Sequence, residues 1–156
     1  MHPTLRIAAL LLLAAAPRYA VKGEVDETYS YCGGAVPPDE LLRNLAKPVP
    51  VKARAFDVYR GETAEAETFT TFTTGDDGKY SVSLPDGKWC VIEATRRVRP
   101  GVPPEAGADA ACWKAESKRC DLRFEVSGKE LSVPAATLRR GCSFNPTCGP
   151  HGPPPP

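Results

Sequence analysis

The clearest pattern in the chain lies between Thr73 and Val91. Tyr80, Val82 and Leu84 alternate strictly with Lys79, Ser81 and Ser83, the period of a strand with one buried and one wet face. Turn signals bracket it. Gly75-Asp76-Asp77-Gly78 precedes it and Pro85-Asp86-Gly87 follows, where proline presets the first turn position and glycine accepts a positive φ. Lys88 to Thr95 then reads as a strand with Trp89 and Val91 on one face, so the stretch predicts a meander of three antiparallel strands. Upstream, Val51 to Tyr59 and Glu67 to Thr74 are rich in Val, Thr, Phe and Tyr, residues that favour a pleated surface. Phe56 and Val58 share a face, whereas Phe69 and Phe72 fall on opposite parities, which predicts a bulge. Downstream, Cys120 to Val126 alternates through Leu122 and Phe124, and Ser127-Gly128-Lys129 turns into Glu130 to Leu138, a hairpin expected to complete the fold.

Helical spacing is confined to short pieces. Pro37 to Ala46 starts on proline and acidic residues, carries Leu41, Leu42 and Leu45 as one stripe and stops before Pro48, which predicts a short helix capping one end of a sheet. Asp109 to Ser117 predicts one or two further helical turns around Trp113, after a Pro/Gly-rich loop from Arg96 to Ala108. Val21 to Gly34 is polar and acidic and suggests no strand. The expected fold is mainly β: a small antiparallel β-sandwich over 51–140 with one or two short helices, preceded by an N-terminal segment over 21–50 that carries the first helix.

The two ends read differently. Met1 to Arg6 is a short positive start, and Ile7 to Ala16 is an unbroken apolar run ending in Ala14-Ala15-Ala16, which together predict an export leader within 1–20. The run is too short to cross a bilayer, so no transmembrane span is expected. A cut after Ala16 would leave Pro17 at the new N-terminus, a poor substrate, and a cut after Ala20 competes with it. Tyr29-Ser30-Tyr31 before Cys32 lacks the small aliphatic pattern that precedes a lipid-modified cysteine. From 141 to 156 the chain is a Cys-containing Pro/Gly-rich tail that cannot form a core and suits polyproline II geometry.

Export gives the six cysteines their meaning. Cys32, Cys90, Cys112, Cys120, Cys142 and Cys148 are even in number, and thiols that reach an oxidising periplasmic or extracellular compartment end as disulfides. Cys142 with Cys148 is a favoured local pair. Cys112 with Cys120 would leave Cys32 to reach Cys90, and a Cys90 to Cys120 cross-strand staple is equally compatible. Zinc sites need closely paired ligands, and no two cysteines here are two residues apart. Cys142, Cys148 and His151 form the one close trio, a weak metal candidate against the disulfide reading.

The central strands carry a family resemblance. A threonine-rich strand, then Thr74, Asp77, Gly78, Tyr80, Val82 and Leu84, then Pro85, Gly87, Trp89 and Val91, resembles the carboxypeptidase regulatory-like domain of the transthyretin-like (prealbumin-like) β-sandwich group. The match runs from Lys52 to Ala94. The family's usual opening strand is weak around Pro48 to Val58. The resemblance implies a prealbumin-like or Ig-like sandwich and says little about activity, because one fold hosts many functions.

Composition and charge narrow the function. In 156 residues, 20 Lys and Arg nearly cancel 19 Asp and Glu, so the net charge of +1 supplies no field for nucleic-acid binding. The division is uneven: Val21 to Gly87 holds 7 basic and 12 acidic residues, Lys88 to Arg140 holds 11 and 7. If the halves formed opposite sheets, one face would be basic through Arg96, Arg97, Arg99, Lys118, Arg119, Arg139 and Arg140. Pairing of these residues within the fold ranks ahead of an anion-binding patch. Of two histidines, His2 leaves with the leader and His151 lies in the tail, which is poor material for a nucleophile-histidine pair. No catalytic residue and no cofactor is assigned. The expectation is an exported, non-catalytic binding or structural module with a protein or glycan partner. An anionic glycan or surface binder, using the basic half with exposed Tyr59, Trp113 or Phe144, is the alternative, and a hydrolase or metal-binding protein ranks last.

Overall fold

A computed structural model of the chain describes residues 16–96 and 110–141, without the side chains of 110, 112 and 113. Among the described residues, nine strands form two sheets. The first is built on β1 (Tyr19–Tyr29), which pairs antiparallel with β5 (Lys79–Leu84) and β2 (Val49–Pro50) along one edge. Along its other edge it pairs parallel with β8 (Leu131–Ser132) and β9 (Ala136–Arg140), so this sheet is mixed. The second sheet is antiparallel, in the order β4 (Thr70–Thr73), β3 (Ala55–Arg60), β6 (Gly87–Glu93), β7 (Leu122–Val126). Helix α1 (Asp39–Leu45) follows β1, and α2 (Ala110–Lys118) precedes β7. The fold is the expected small, mainly β sandwich with short helices and a disulfide.

Alternation places the core. Val21 and Val25 from β1, with Tyr80 and Leu84 from β5, face Phe56 and Val58 of β3, Trp89 and Val91 of β6, and Leu122 and Val126 of β7. Trp89 and Phe56 are the largest fully buried side chains, each stabilising the fold by roughly 1.5–3 kcal/mol through removal of its ring from water. The indole N–H of Trp89 donates to the Pro85 carbonyl at 3.1 Å, which fixes the ring over the Pro85-Asp86-Gly87 turn. Phe56, Phe72 and Tyr80 stack in series at 5.4 and 4.3 Å between ring centres, joining the two sheets. Strand β6 is buried on both faces. Its outer residues Cys90 and Ile92 pack with Tyr59, Ala64 and Cys120 beneath the loop that follows β3.

Several expected pairings are corrected. Strands β4, β5 and β6 are not a meander: β4 pairs β3, β5 pairs β1, and β6 pairs β3 and β7. Likewise β7 and β9 do not form a hairpin, because β7 joins the second sheet while β8 and β9 join the first. Both turns exist, but they are arches between sheets. Alternation tells which face of a strand is buried and leaves its neighbour open. At the first arch, Gly78 has a φ of 77°, and its carbonyl accepts from Val25 N–H at 3.0 Å. A Cβ there would lie 2.6 Å from the Val25 carbonyl oxygen, so only glycine allows the arch to press onto β1.

Three further expectations change. The register of β3 with β4 runs unbroken from Ala55–Thr73 to Val58–Thr70, so this paired stretch holds no bulge. Phe69 lies just before β4 and packs on Trp89 at 4.8 Å. Helix α1 forms where expected but buries none of its residues, with Leu41 and Leu42 exposed, so it caps no sheet. Strand β1 occupies a segment that suggested no strand, and it extends the sandwich N-terminally beyond 51–140.

Of the cysteines, Cys90 and Cys120 are bonded, with Cα atoms 5.3 Å apart. This is the cross-strand staple, and it excludes the Cys112–Cys120 and Cys32–Cys90 pairs. Cys32 is also disulfide-bonded. The Cys142–Cys148 pair and the Cys142, Cys148, His151 trio lie outside the described residues.

Candidate functional site

Charged side chains meet at one end of the sandwich. Glu27 points inward from β1, Arg140 from β9, Glu93 from the end of β6 and Arg54 from the approach to β3. Glu93 is only 2% exposed and accepts from Arg54 Nη1 at 2.8 Å and from Arg140 Nη1 at 2.6 Å. Arg140 Nε donates to Glu27 Oε2 at 2.6 Å, and the Tyr29 hydroxyl donates to Glu27 Oε1 at 2.5 Å. Ala53 holds a φ of 47° immediately before Arg54, a left-handed backbone that side chains disfavour and that helps aim the arginine back into the cluster.

Opposing influences set the charges. Burial pushes the Glu93 carboxyl up, but hydrogen bonds and charges from Arg140 and Arg54 together outweigh it and hold the group below the usual carboxylate range. For Glu27, burial again pushes up, and the Tyr29 and Arg140 bonds with the nearby guanidinium charges bring the net value down. The bond to Glu27 raises the Tyr29 phenol. Asp121 behaves differently. It accepts from Glu93 N–H at 2.7 Å and from Arg96 Nη1 at 2.6 Å, yet burial and the neighbouring Glu93 charge leave its carboxyl above the ordinary range. Glu27 and Glu93 are thus held ionised by fixed donors, an arrangement suited to clamping two sheets and poorly suited to moving protons near neutrality.

The basic residues expected to bind anions divide. Arg140 belongs to the clamp, Arg96 pairs with Asp121, Lys118 with Glu65 and Arg119 with Glu116. Arg97 and Arg99 lie outside the described residues. Arg139, the next residue on β9, points away from the clamp and is exposed with no ion pair among the described residues. The premise of two oppositely charged sheets does not hold: each sheet takes strands from both halves of the chain, so acidic and basic residues interleave. Tyr59 is 5% exposed and cannot serve as a surface aromatic. The side chain of Trp113 and all of Phe144 lie outside the described residues.

Arg139 instead lines a groove of about 620 Å³ with Thr28, Tyr29, Ser30, Ala46, Pro48 and Thr137. Tyr29 connects it to the clamp: its hydroxyl is held by Glu27 while the side chain is 46% exposed. The result is a groove with the hydroxyl residues Thr28, Ser30 and Thr137 and a guanidinium that has no ion pair among the described residues, bordered by Tyr29. Neither the groove nor Tyr29 was readable from composition, because it forms where β1 and β9, more than 100 residues apart in sequence, lie side by side. A second depression of about 360 Å³, beside Trp89 and Phe124, is lined by the Lys88–Glu62 ion pair, Arg123 and Glu125 and has no single sign of charge.

No family model matches the sequence, and no curated protein matches it. Among solved structures, a DUF3823 family protein from Parabacteroides merdae is 16% identical over 80% of this chain and 46% of that one, with a TM-score of 0.35. Another from Bacteroides ovatus is 15% identical over 76% and 44%, also at 0.35. The Bacillus anthracis TIE protein is 12% identical over 79% of this chain and 17% of that one, at 0.40. This chain spans less than half the length of each. Similarity at this level assigns neither family nor function, and the carboxypeptidase regulatory-like resemblance rests on the residues that carry it.

Proposed function

We propose that this protein is an exported, non-catalytic binding module whose binding face is the groove of Tyr29 and Arg139, and whose ligand is a polar anionic chain such as an acidic glycan. The observation that carries this reading is the exposed Arg139 guanidinium, with no ion pair among the described residues, in a groove that Thr28, Ser30 and Thr137 also line. A cation with hydroxyl groups around it suits a sugar ring bearing a carboxylate or sulfate. The other described basic candidates are engaged with carboxylates and are poor recruits for an external anion. The buried carboxylates support the non-catalytic part, since their hydrogen-bonding capacity is taken by arginines and a tyrosine. The disulfides support export.

Retention of the purified protein on an immobilised acidic polysaccharide at low salt tests the proposal. Wild type is expected to be retained and to elute as salt screens the charge, while Arg139→Glu elutes near the void at unchanged melting temperature. Equal retention of the two proteins, or turnover in a panel of ester, peptide and glycoside substrates, would overturn it. Alkylation without reductant should add no mass to the exported protein, and added label would contradict the export reading.

A further inference from the structure

The leader motif offers two places to cut, after the Ala14-Ala15-Ala16 run or after Ala20, and the sequence does not choose between them. The fold does. We infer that the processing bond lies within Ala14-Ala15-Ala16-Pro17, so that Arg18, Tyr19 and Ala20 remain in the mature protein; this rests on the export reading above.

Strand β1 begins at Tyr19, not at Val21. Tyr19 pairs with Leu84 and Ala20 with Ser83, and the Tyr19 side chain packs against the core. Arg18 reaches further. Its guanidinium lies 5.3 Å from the centre of the Phe69 ring, Phe69 packs on Trp89 at 4.8 Å, and the Arg60 guanidinium lies 5.1 Å from the Trp89 ring centre. The resulting ladder of cation, ring, ring and cation covers the end of the core opposite the ionic clamp, and its first rung is a residue that a cut after Ala20 would discard.

The stronger argument concerns the new terminus. Val21 is 0% exposed and lies between two strands, paired with Val82 of β5 on one side and Leu131 of β8 on the other. A chain beginning there would place its α-ammonium group inside the pairing of β1 with β5 and β8, where the Ala20 peptide now stands. A terminus at Ala15, Ala16 or Pro17 leaves the ammonium on residues that precede the strand, where Pro17 and Arg18 are exposed. Of these bonds, those before Ala15 and Ala16 avoid proline immediately after the cut.

The experiment is N-terminal sequencing and intact-mass analysis of the exported protein, expressed as the full precursor in an export-competent bacterial host, beside precursor Ala20→Val. The substitution removes the small residue that a cut at that point requires and keeps a strand-forming side chain. Both proteins are expected to begin at Ala15, Ala16 or Pro17, with the variant processed to the same extent as wild type. Wild type beginning at Val21, or accumulation of unprocessed Ala20→Val alone, would overturn the placement while leaving export intact. Retention of Met1 in the wild type would overturn the placement together with the export reading.

Discussion

At the scale of single residues, the clamp and the aromatic stack make opposite predictions. Arg140 satisfies Glu93 and Glu27 at once, so Arg140→Met leaves two carboxylates facing each other with only Arg54 between them. Breaking a buried ionic network in this way should cost about 3 kcal/mol, read from urea unfolding at pH 7. The same network sets the response to acid. Glu27 and Glu93 have folded-state pKa values below their unfolded ones, so the unfolded chain takes up these protons first. Their contribution is complete above the unfolded carboxylate value of about 4.3 and is lost as pH falls through the folded values. Asp121 works in the other sense, since its raised value lets the folded chain bind the proton first; its contribution is present in acid and lost as pH rises through the folded value. Two depressed groups against one raised group predict that the urea midpoint falls below about pH 4, with a shallower fall in Arg140→Met. Tyr80 is the converse case. Its hydroxyl is buried with no partner among the described residues, and burial pushes its pKa up to about 12. Tyr80→Phe removes the polar atom and keeps the ring on Phe72, so it should stabilise by about 1 kcal/mol, measured as a raised urea midpoint; a loss of stability would reveal a partner for the hydroxyl.

At the scale of elements, the disulfide from β6 to Cys120, between α2 and β7, is the clearest test. Cys90 and Cys120 are 30 residues apart, and closing a loop of that length stabilises by about 2–4 kcal/mol. Cys90→Ala with Cys120→Ala should lose that much on thermal unfolding, and it should expose backbone amides of 110–118 to hydrogen exchange before those of β6, because β6 is still held by β3 and β7. The elements also show what the chain made legible. Strand β5 could be read directly, since Tyr80, Val82 and Leu84 all face inward and nothing interrupts the alternation. Strand β1 has the same period, with Val21, Gly23, Val25 and Glu27 inward, but two of those four positions disguise it. Gly23 is inward because the ring of its cross-strand partner Tyr80 lies over it, leaving no space for a Cβ, which would meet the Tyr80 hydroxyl oxygen at 2.5 Å. Glu27 is inward because Arg140, 113 residues later, neutralises it. Both explanations are tertiary, so no window along the sequence could supply them. Arg139 was named from the sequence with six other basic residues, and what separates it from them is its neighbour across the β1–β9 pairing.

At the scale of the molecule, the chain changes sheets at three of the five connections from β4 to β9. β1 is completed on one edge by β5 and on the other by β9, so the strand nearest the N-terminus is flanked by the strand nearest the C-terminus. A chain ending at Pro134 lacks β9 and with it Leu138 and Arg140, leaving one edge of β1 bare and Glu27 and Glu93 short of their shared cation. Such a truncation should show no cooperative thermal transition, whereas removal of residues beyond 148 should leave the melting temperature within about 2 °C of wild type, as expected for a proline- and glycine-rich stretch with few core-forming side chains.

The parallel pairing of β1 with β9 also has a consequence in time. Contacts between residues more than 100 positions apart must close long loops before they give any return, and topologies dominated by such contacts fold in milliseconds to seconds, far slower than helical bundles. While the chain emerges from a ribosome, β1 has no completed sheet to join until β9 has been synthesised. The sheet built on β1 therefore keeps one edge open until the end of synthesis, and the last strand to be made is the one that closes it.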